Sequence, residues 1–244
     1  MSAPARNAEA AARWPRRLVP ELLDELAPDD PRAVRSRRDL RVVNRIMGHA
    51  GLLARALDAV VPGVPLHLVE LGAGDGTLLK RLAQLRAARW GNGIVTLLDM
   101  TPTVAPATLD ALGSFGWTVD VVAADALEWL EQSPGAPNAV TFANLFVHHF
   151  EGERLARLLA GIAAHSRAFV CCEPRRARFA LVGSHLLWAI GCNDVTRHDA
   201  VVSVHAGFRE RELTRAWPTG PGHWHTAETP AGAFSHLFVA QRQP

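Results

Sequence analysis

The spacing of apolar side chains changes character once along the chain, near residue 62. Before that point Leu40, Val43, Ile46 and Met47 recur at three- and four-residue steps, while Arg35, Arg37, Arg38, Arg41 and Arg45 occupy the opposite face. That is the pattern of a half-buried helix. Pro28-Asp29-Asp30-Pro31 breaks the chain ahead of it and supplies helix-starting acids. A short amphipathic turn or helix over 20–27 precedes the break. Gly48 and Gly51 interrupt the long helix, another helix covers 52–61, and Pro62-Gly63-Val64-Pro65 closes the region. Residues 1–62 therefore read as an N-terminal tail and helical cap, the first 20 being a frayed tail.

From Leu66 onward short apolar runs alternate with amphipathic stretches, as buried parallel strands alternate with crossover helices. Strands are expected at 66–71, 94–99, 118–122, 139–144 and 168–172, with helices at 77–89, 108–115, 125–131 and 153–164. The end departs from this rhythm. Segments 223–228 and 235–241 read as strands around the turn Pro230-Ala231-Gly232 and should pair antiparallel. Between the fifth strand and this hairpin, an insertion over 173–222 holds an apolar helix at 179–190, a polar patch at 192–198 and a helix at 199–205. The fold class is α/β, a doubly wound sheet over 63–244 with an antiparallel terminal hairpin, a helical cap and a helical insertion.

Composition narrows the function. With 244 residues, 48% hydrophobic and 20% charged, the chain is one large globular domain, or one with a small appendage. The longest nearly apolar run, 179–192, is broken by Ser184 and His185 and falls short of the roughly 18 residues a membrane span needs, so no stable membrane insertion is expected. Net charge is +2, and the arginines are spread along the chain against 24 acids, which argues against a nucleic-acid partner. Cys171, Cys172 and Cys192 form no CxxC pair and read as reduced thiols of a cytoplasmic protein.

The chemistry concentrates in Glu70-Leu71-Gly72-Ala73-Gly74-Asp75-Gly76-Thr77, which leaves an apolar strand and opens a helix. Its glycines stand where backbone turns tightly and approaches a ligand. Dinucleotide loops space theirs GxGxxG and rest a pyrophosphate on the helix N-terminus. Here the spacing is GxGxG, Thr77 replaces the third dinucleotide glycine, and Glu70 and Asp75 add negative charge suited to a cationic cofactor.

Glu70 to Gly76 resembles the first motif of class I S-adenosylmethionine-dependent methyltransferases. The resemblance covers about residues 63–241 and implies a Rossmann-like sheet, which the terminal hairpin brings to seven strands. It further implies S-adenosylmethionine as cofactor, with S-adenosylhomocysteine as product and a small molecule as partner. Glu70, Gly72, Ala73, Gly74, Gly76, Asp99, Met100, Asp125, Ala126 and Asn144 would hold the cofactor, Asp99 at the ribose, Asp125 at the adenine amino group and Asn144 beside the methionine moiety. Asn44, from the arginine-rich helix, would reach the cofactor from above. The segments 35–45 and 191–200 look like a bacterial subgroup associated with type III polyketide synthase pathways, which implies a phenolic acceptor.

Methyl transfer from a sulfonium requires alignment and exclusion of water but no metal, and none is expected. Deprotonating a phenol favours a nearby imidazole. His149 is the first candidate base, with His148 and His198 behind it; packing or capping roles are the alternative. His185, Asn193, Asp194 and Arg197 are candidate acceptor contacts, Asp194 being placed to orient His198. The rival functions are a nicotinamide-dependent oxidoreductase and a non-catalytic cofactor-binding partner protein.

Overall fold

The computed structural model describes residues 14–61, 66–132, 139–220 and 222–243. The tail through residue 13 and the closing segment at 62–65, where the cap was expected to end, lie outside the described residues. In chain order the elements are α1 (Leu22–Glu25), α2 (Pro31–Ile46), α3 (His49–Val60), β1 (Leu66–Leu71), α4 (Thr77–Arg86), β2 (Gly93–Asp99), α5 (Pro106–Ser114), β3 (Trp117–Ala123) and α6 (Ala126–Gln132). There follow β4 (Val140–Asn144), a 3₁₀ turn (Val147–His149), α7 (Gly152–His165), β5 (Ala168–Pro174), α8 (Arg178–His185), a second 3₁₀ turn (Leu186–Ile190), α9 (Asp194–Ala206), α10 (Glu212–Ala216), β6 (Trp224–Ala231) and β7 (Ser235–Arg242).

The seven strands form one sheet in the order β3-β2-β1-β4-β5-β7-β6. β1 to β5 are parallel, and β7 runs antiparallel between β5 and β6. All residues of β5 are buried, as are all of β4 but Asn144, which explains their unbroken apolar runs. The edge strand β6 instead alternates half-buried and exposed positions along most of its length. On one face α3, α4 and α5 pack on Leu68, Phe142, Val170 and Cys172. On the other α6, α7 and α10 cover Val69, Leu71, Ala143, Phe169 and Cys171. Thus α3 is part of the main core, where fully buried Leu53 and Leu57 each contribute roughly 1.5–3 kcal/mol of burial.

Four local expectations are corrected. α3 starts at His49 with Gly51 inside it; only Gly48, at φ +70°, breaks the preceding helix. Segment 179–190 is not one helix, because α8 ends at His185 and tightens into the 3₁₀ turn that Gly191 terminates at φ +79°. The supposed polar patch at 192–198 and the helix after it are the single helix α9, capped by Asn193 Oδ1 accepting from Thr196 N at 2.9 Å. The hairpin turn is Gly232-Ala233-Phe234 rather than 230–232. Pro230 stays in β6 because an edge strand has no neighbour that needs its missing N–H.

Gly207, after α9, has no room for a side chain: a Cβ would stand 2.3 Å from the Pro174 carbonyl oxygen that accepts from Phe208 N. Gly207→Ala is expected to destabilise the fold by about 1–3 kcal/mol, whereas Gly91→Ala, in open space, should change little. Urea unfolding of the two variants gives the comparison, and equal midpoints would contradict it.

Candidate functional site

β1 stands between β2 and β4, so successive crossovers leave it in opposite directions, and the crevice at its carboxyl end is where open α/β sheets bind ligands. The glycine loop fills this position. Gly72, Gly74 and Gly76 take φ of +70°, +55° and +69°, values that residues with a Cβ rarely adopt. A Cβ on Gly72 would meet Phe146 at 2.5 Å, while Gly74 faces open space. Gly72 and Ala73 both donate to Leu98 O, at 2.9 and 3.1 Å. Asp99 locks the loop from the β2 side: Oδ2 accepts from Gly74 N at 2.9 Å and Oδ1 from Thr101 N at 2.8 Å. Each oxygen keeps a second lone pair for a ligand.

The α4 N-terminus is already occupied. Asp75 Oδ1 accepts from Thr77 N at 3.0 Å and from the Thr77 hydroxyl, and Oδ2 pairs with Arg41 at 2.7 Å. A pyrophosphate would have to displace this carboxylate, so the dinucleotide reading is disfavoured on electrostatic grounds. Asp125 caps α6 through Oδ1, accepting from Leu127 N at 2.7 Å and Glu128 N at 3.2 Å. Ala126 is buried behind it, and Met100 is 73% exposed at the lip.

What distinguishes the crevice is a surplus of acceptors. Glu70 Oε2 and Asn44 Oδ1 are buried and receive no hydrogen bond among the described residues, while the buried Asn144 amide lies within hydrogen-bonding reach of the His49 ring. Strand register puts Glu70 opposite Phe142, so Glu70 and Asn144 face the same side of the sheet at the crevice. Asn44 lies one turn after Arg41, which contacts the glycine loop through Asp75. Burial, with the charges of Asp75 and Asp99, raises the Glu70 carboxyl well above its ordinary value. Such groups need an outside donor, and a cation satisfies them best. The ammonium of S-adenosylmethionine fits these acceptors.

On the opposite face lies a cluster that sequence reasoning partly missed. Glu173, fully buried at the end of β5, accepts from the backbone N–H of Phe146, Val147 and His148 and from His148 Nδ1 at 2.8 Å. The other ring nitrogen, Nε2, meets Glu21 Oε1 at 3.4 Å, and Glu21 also accepts from the Ser203 hydroxyl. Burial alone would lower the His148 pKa, but its hydrogen bonds to Glu173 and Glu21, and their charges, outweigh burial and raise it to about 9. His148 is thus an imidazolium clamp without a free lone pair, which corrects its candidacy as a base. His149 stacks on it, with ring centroids 4.2 Å apart, and is half-buried. Burial and the neighbouring His148 charge lower its pKa to about 4, so it is neutral. Asp24 Oδ2 lies 3.6 Å from His149 Nδ1; its side chain is 62% exposed, and partial desolvation with the charges of Glu21 and Asp199 shifts its carboxyl upward, to about 6. Glu21, His148 and His149 bring ligating atoms within 4.8 Å of one another, an arrangement that the protonated His148 satisfies by itself.

An N-terminal strap carries Glu21 and Asp24 here. Arg16 donates to the carbonyls of Ala206, Phe150 and His148 at 2.6, 2.8 and 2.7 Å, and Leu22 N and Leu23 N donate to Asp199. An acid ending a buried strand is the signal that marked Glu70, and it could have found Glu173. Glu21, Asp24 and Asp199 had no comparable signal, because only the tertiary fold brings them to the histidines. The insertion residues fare differently. Asn193 is a helix cap, Asp194 and Arg197 are exposed on the first turn of α9, and His185 is exposed at the end of α8. Asp199, not Asp194, holds His198, through Nδ1 at 3.0 Å.

No protein-family profile matches the chain, and no curated protein matches it in sequence. Solved structures do. The plantazolicin methyltransferase BpumL in complex with SAH aligns over 88% of this chain and 92% of its own, at 10% identity and a TM-score of 0.58. The pyocyanin biosynthetic protein PhzM aligns over 99% of this chain and 68% of its own, at 18% identity and a TM-score of 0.59. An O-methyltransferase family protein from Burkholderia thailandensis aligns over 88% at 17% identity and a TM-score of 0.57, and the match spans 60% of that longer protein. These likenesses show the fold, a Rossmann-like sheet with an antiparallel terminal hairpin, which this chain shares with those methyltransferases.

The His148 clamp predicts a pH dependence. Its folded pKa of about 9 exceeds the ordinary 6.5, so its stabilisation is complete below pH 6.5 and is lost as pH rises through 9. His49 and His149, both lowered to about 4, act in the opposite sense and remove stability as pH falls from 6.5 toward 4. Unfolding free energy should decline by on the order of 3 kcal/mol along the alkaline limb. His148→Gln should flatten that limb, as read by urea melts across pH, and an unaltered limb would show that the clamp is not charged.

Proposed function

We propose that this chain transfers a methyl group from S-adenosylmethionine to a small-molecule acceptor, at a hydroxyl oxygen of a phenolic or polyketide-like compound. The observation that carries this reading is the buried, unsatisfied acceptor Glu70 Oε2, on the same face as Asn144, at a glycine loop whose helix end already holds a carboxylate. The methyltransferase fold supports it, as do the SAH complex and the O-methyltransferase among the related structures.

The residues divide the work by charge. Glu70, Asn144 and Asn44 accept from the ammonium of the cofactor. Asp99 accepts the ribose hydroxyls with its remaining lone pairs, and Asp125 Oδ2 is left for the adenine amino group beside Met100. When bound, S-adenosylmethionine supplies an electrophilic methyl on a good leaving group. The chain's own contribution is to align the acceptor oxygen with it and take up the hydroxyl proton. His149 is neutral and half-buried five residues past Asn144, so it can accept that hydrogen bond. Its pKa of about 4 makes it a weak base alone; Asp24, at about 6 and beside its Nδ1, is the better-matched group. His148 packs against the His149 ring.

Calorimetric titration with S-adenosylhomocysteine, with NADH as control, tests the cofactor. Binding of the former alone is expected, and Asp99→Ala should weaken it by about 1.5–3 kcal/mol. NADH binding instead, or binding of neither, would overturn the reading. With a phenolic acceptor in hand, His149→Ala should lower kcat by about 100-fold, and Asp24→Asn somewhat less, with cofactor affinity unchanged. Full turnover in both variants would remove the pair from the chemistry, and cofactor binding without turnover on any hydroxylated aromatic would favour a non-catalytic binding protein.

A further inference from the structure

The insertion exposes apolar surface that neither the core nor the crevice uses. Phe179, Val182, Leu186, Trp188 and Ile190 are 46%, 59%, 55%, 62% and 48% exposed. Phe234, from the hairpin turn, extends the patch by packing on Phe179 with ring centroids 6.4 Å apart. In α8 the small residues Ala180 and Ser184 are buried, while Phe179 and Val182 are exposed and Leu181 is half-buried. A surface helix ordinarily shows the reverse. Single exposed apolar residues are unremarkable, but a contiguous patch of this kind marks a binding surface.

The charge around the patch indicates what covers it. Arg175 lies over the Phe179 ring at 5.0 Å, Arg178 opens α8, and Arg35 donates to Gly191 O at 3.0 Å, bringing α2 alongside. Residues 174–193 contain no acid, and α2 contains only Asp39, which turns inward to accept from Asn193 N at 2.8 Å. Arg35, Arg175 and Arg178 make no ion pair among the described residues, and the first acid past this segment is the exposed Asp194 at the start of α9. Three arginines without an ion pair, Arg35, Arg175 and Arg178, thus border the patch.

We propose that this face docks on an anionic lipid bilayer, with Leu186 and Trp188 entering the headgroup layer and Arg35, Arg175 and Arg178 meeting lipid phosphates. An exposed tryptophan between apolar and basic residues suits the membrane interface, where amphipathic segments lie in the plane without spanning it. A second copy of the chain suits it less, since a two-fold contact would set the same arginines against each other. The docking is independent of the proposed methyl transfer.

Sedimentation with vesicles of phosphatidylcholine, with and without phosphatidylglycerol, tests it. The protein should pellet with the anionic vesicles and hardly with the neutral ones. Arg175→Gln with Arg178→Gln should lower the anionic partition coefficient by about tenfold or more. Leu186→Asp with Trp188→Asp should lower it at least as much, with thermal melting unchanged in both variants. Failure to pellet with anionic vesicles, or pelleting that survives both double substitutions, would overturn the proposal. So would a concentration-dependent dimer that Leu186→Asp with Trp188→Asp dissociates, which would assign the patch to a second copy.

Discussion

The architecture around the crevice depends on one buried carboxylate. Glu173 ends a strand with no exposed residue, and a bare carboxylate there would be strongly destabilising. Three backbone N–H groups and the His148 ring answer it. The three amides belong to the turn after β4, so satisfying Glu173 fixes that turn. The chain accepts strain to reach them: Leu145 sits at φ +53°, a left-handed conformation uncommon for a residue with a branched side chain. The reversal at Leu145 carries Phe146 against Gly72, which is why the glycine loop has no space for a Cβ there.

His148 passes the constraint outward. Held on one side by Glu173, it reaches Glu21 on the other, and so couples the sheet to the N-terminal strap. Burial would raise the Glu21 carboxyl, but hydrogen bonds from His148 and Ser203 and the neighbouring imidazole charges bring it down to about 2. The strap is also pinned by Arg16 to three carbonyls and by Asp199 to the start of α1. Removing His148 would leave the buried Glu173 charge without its imidazolium, and removing Arg16 or Asp199 would leave backbone carbonyls or N–H groups unpaired, so the strap and the turn after β4 support each other.

The two faces of the sheet consequently carry opposite kinds of polarity at the same edge. Around Glu70 and Asn144 the acceptors outnumber the donors, and the imbalance defines a place for a cationic ligand. Around His148 two carboxylates, Glu173 and Glu21, face one imidazolium with the Arg16 guanidinium nearby, and the arrangement holds itself together. Between them His149 and Asp24 are the groups whose pKa values burial and neighbouring charge have moved without fully engaging them. A site that must bind a cation, orient an acceptor and move a proton needs these three environments side by side.

The chain's own sequence determined the strand order of polarity, the glycine loop with Glu70, and the acids at the ends of β2 and β3, because each depends on residues close in sequence and on a period of apolar positions. It also carried the terminal hairpin, though not its turn, since Pro230 looks like a turn residue until the neighbouring strands show that β6 is an edge. The insertion is harder to read: Asn193 caps α9 while Asp194 and Arg197 stand exposed on its first turn, and local polarity does not distinguish a cap from a pocket. Only the tertiary structure decided the charge state of His148, which follows from Glu173 and Glu21, residues 25 and 127 positions away. Contacts at that separation leave no periodic trace in the sequence. They exist because the sheet, once folded, brings the end of β5, the turn after β4 and the strap into one low-dielectric volume.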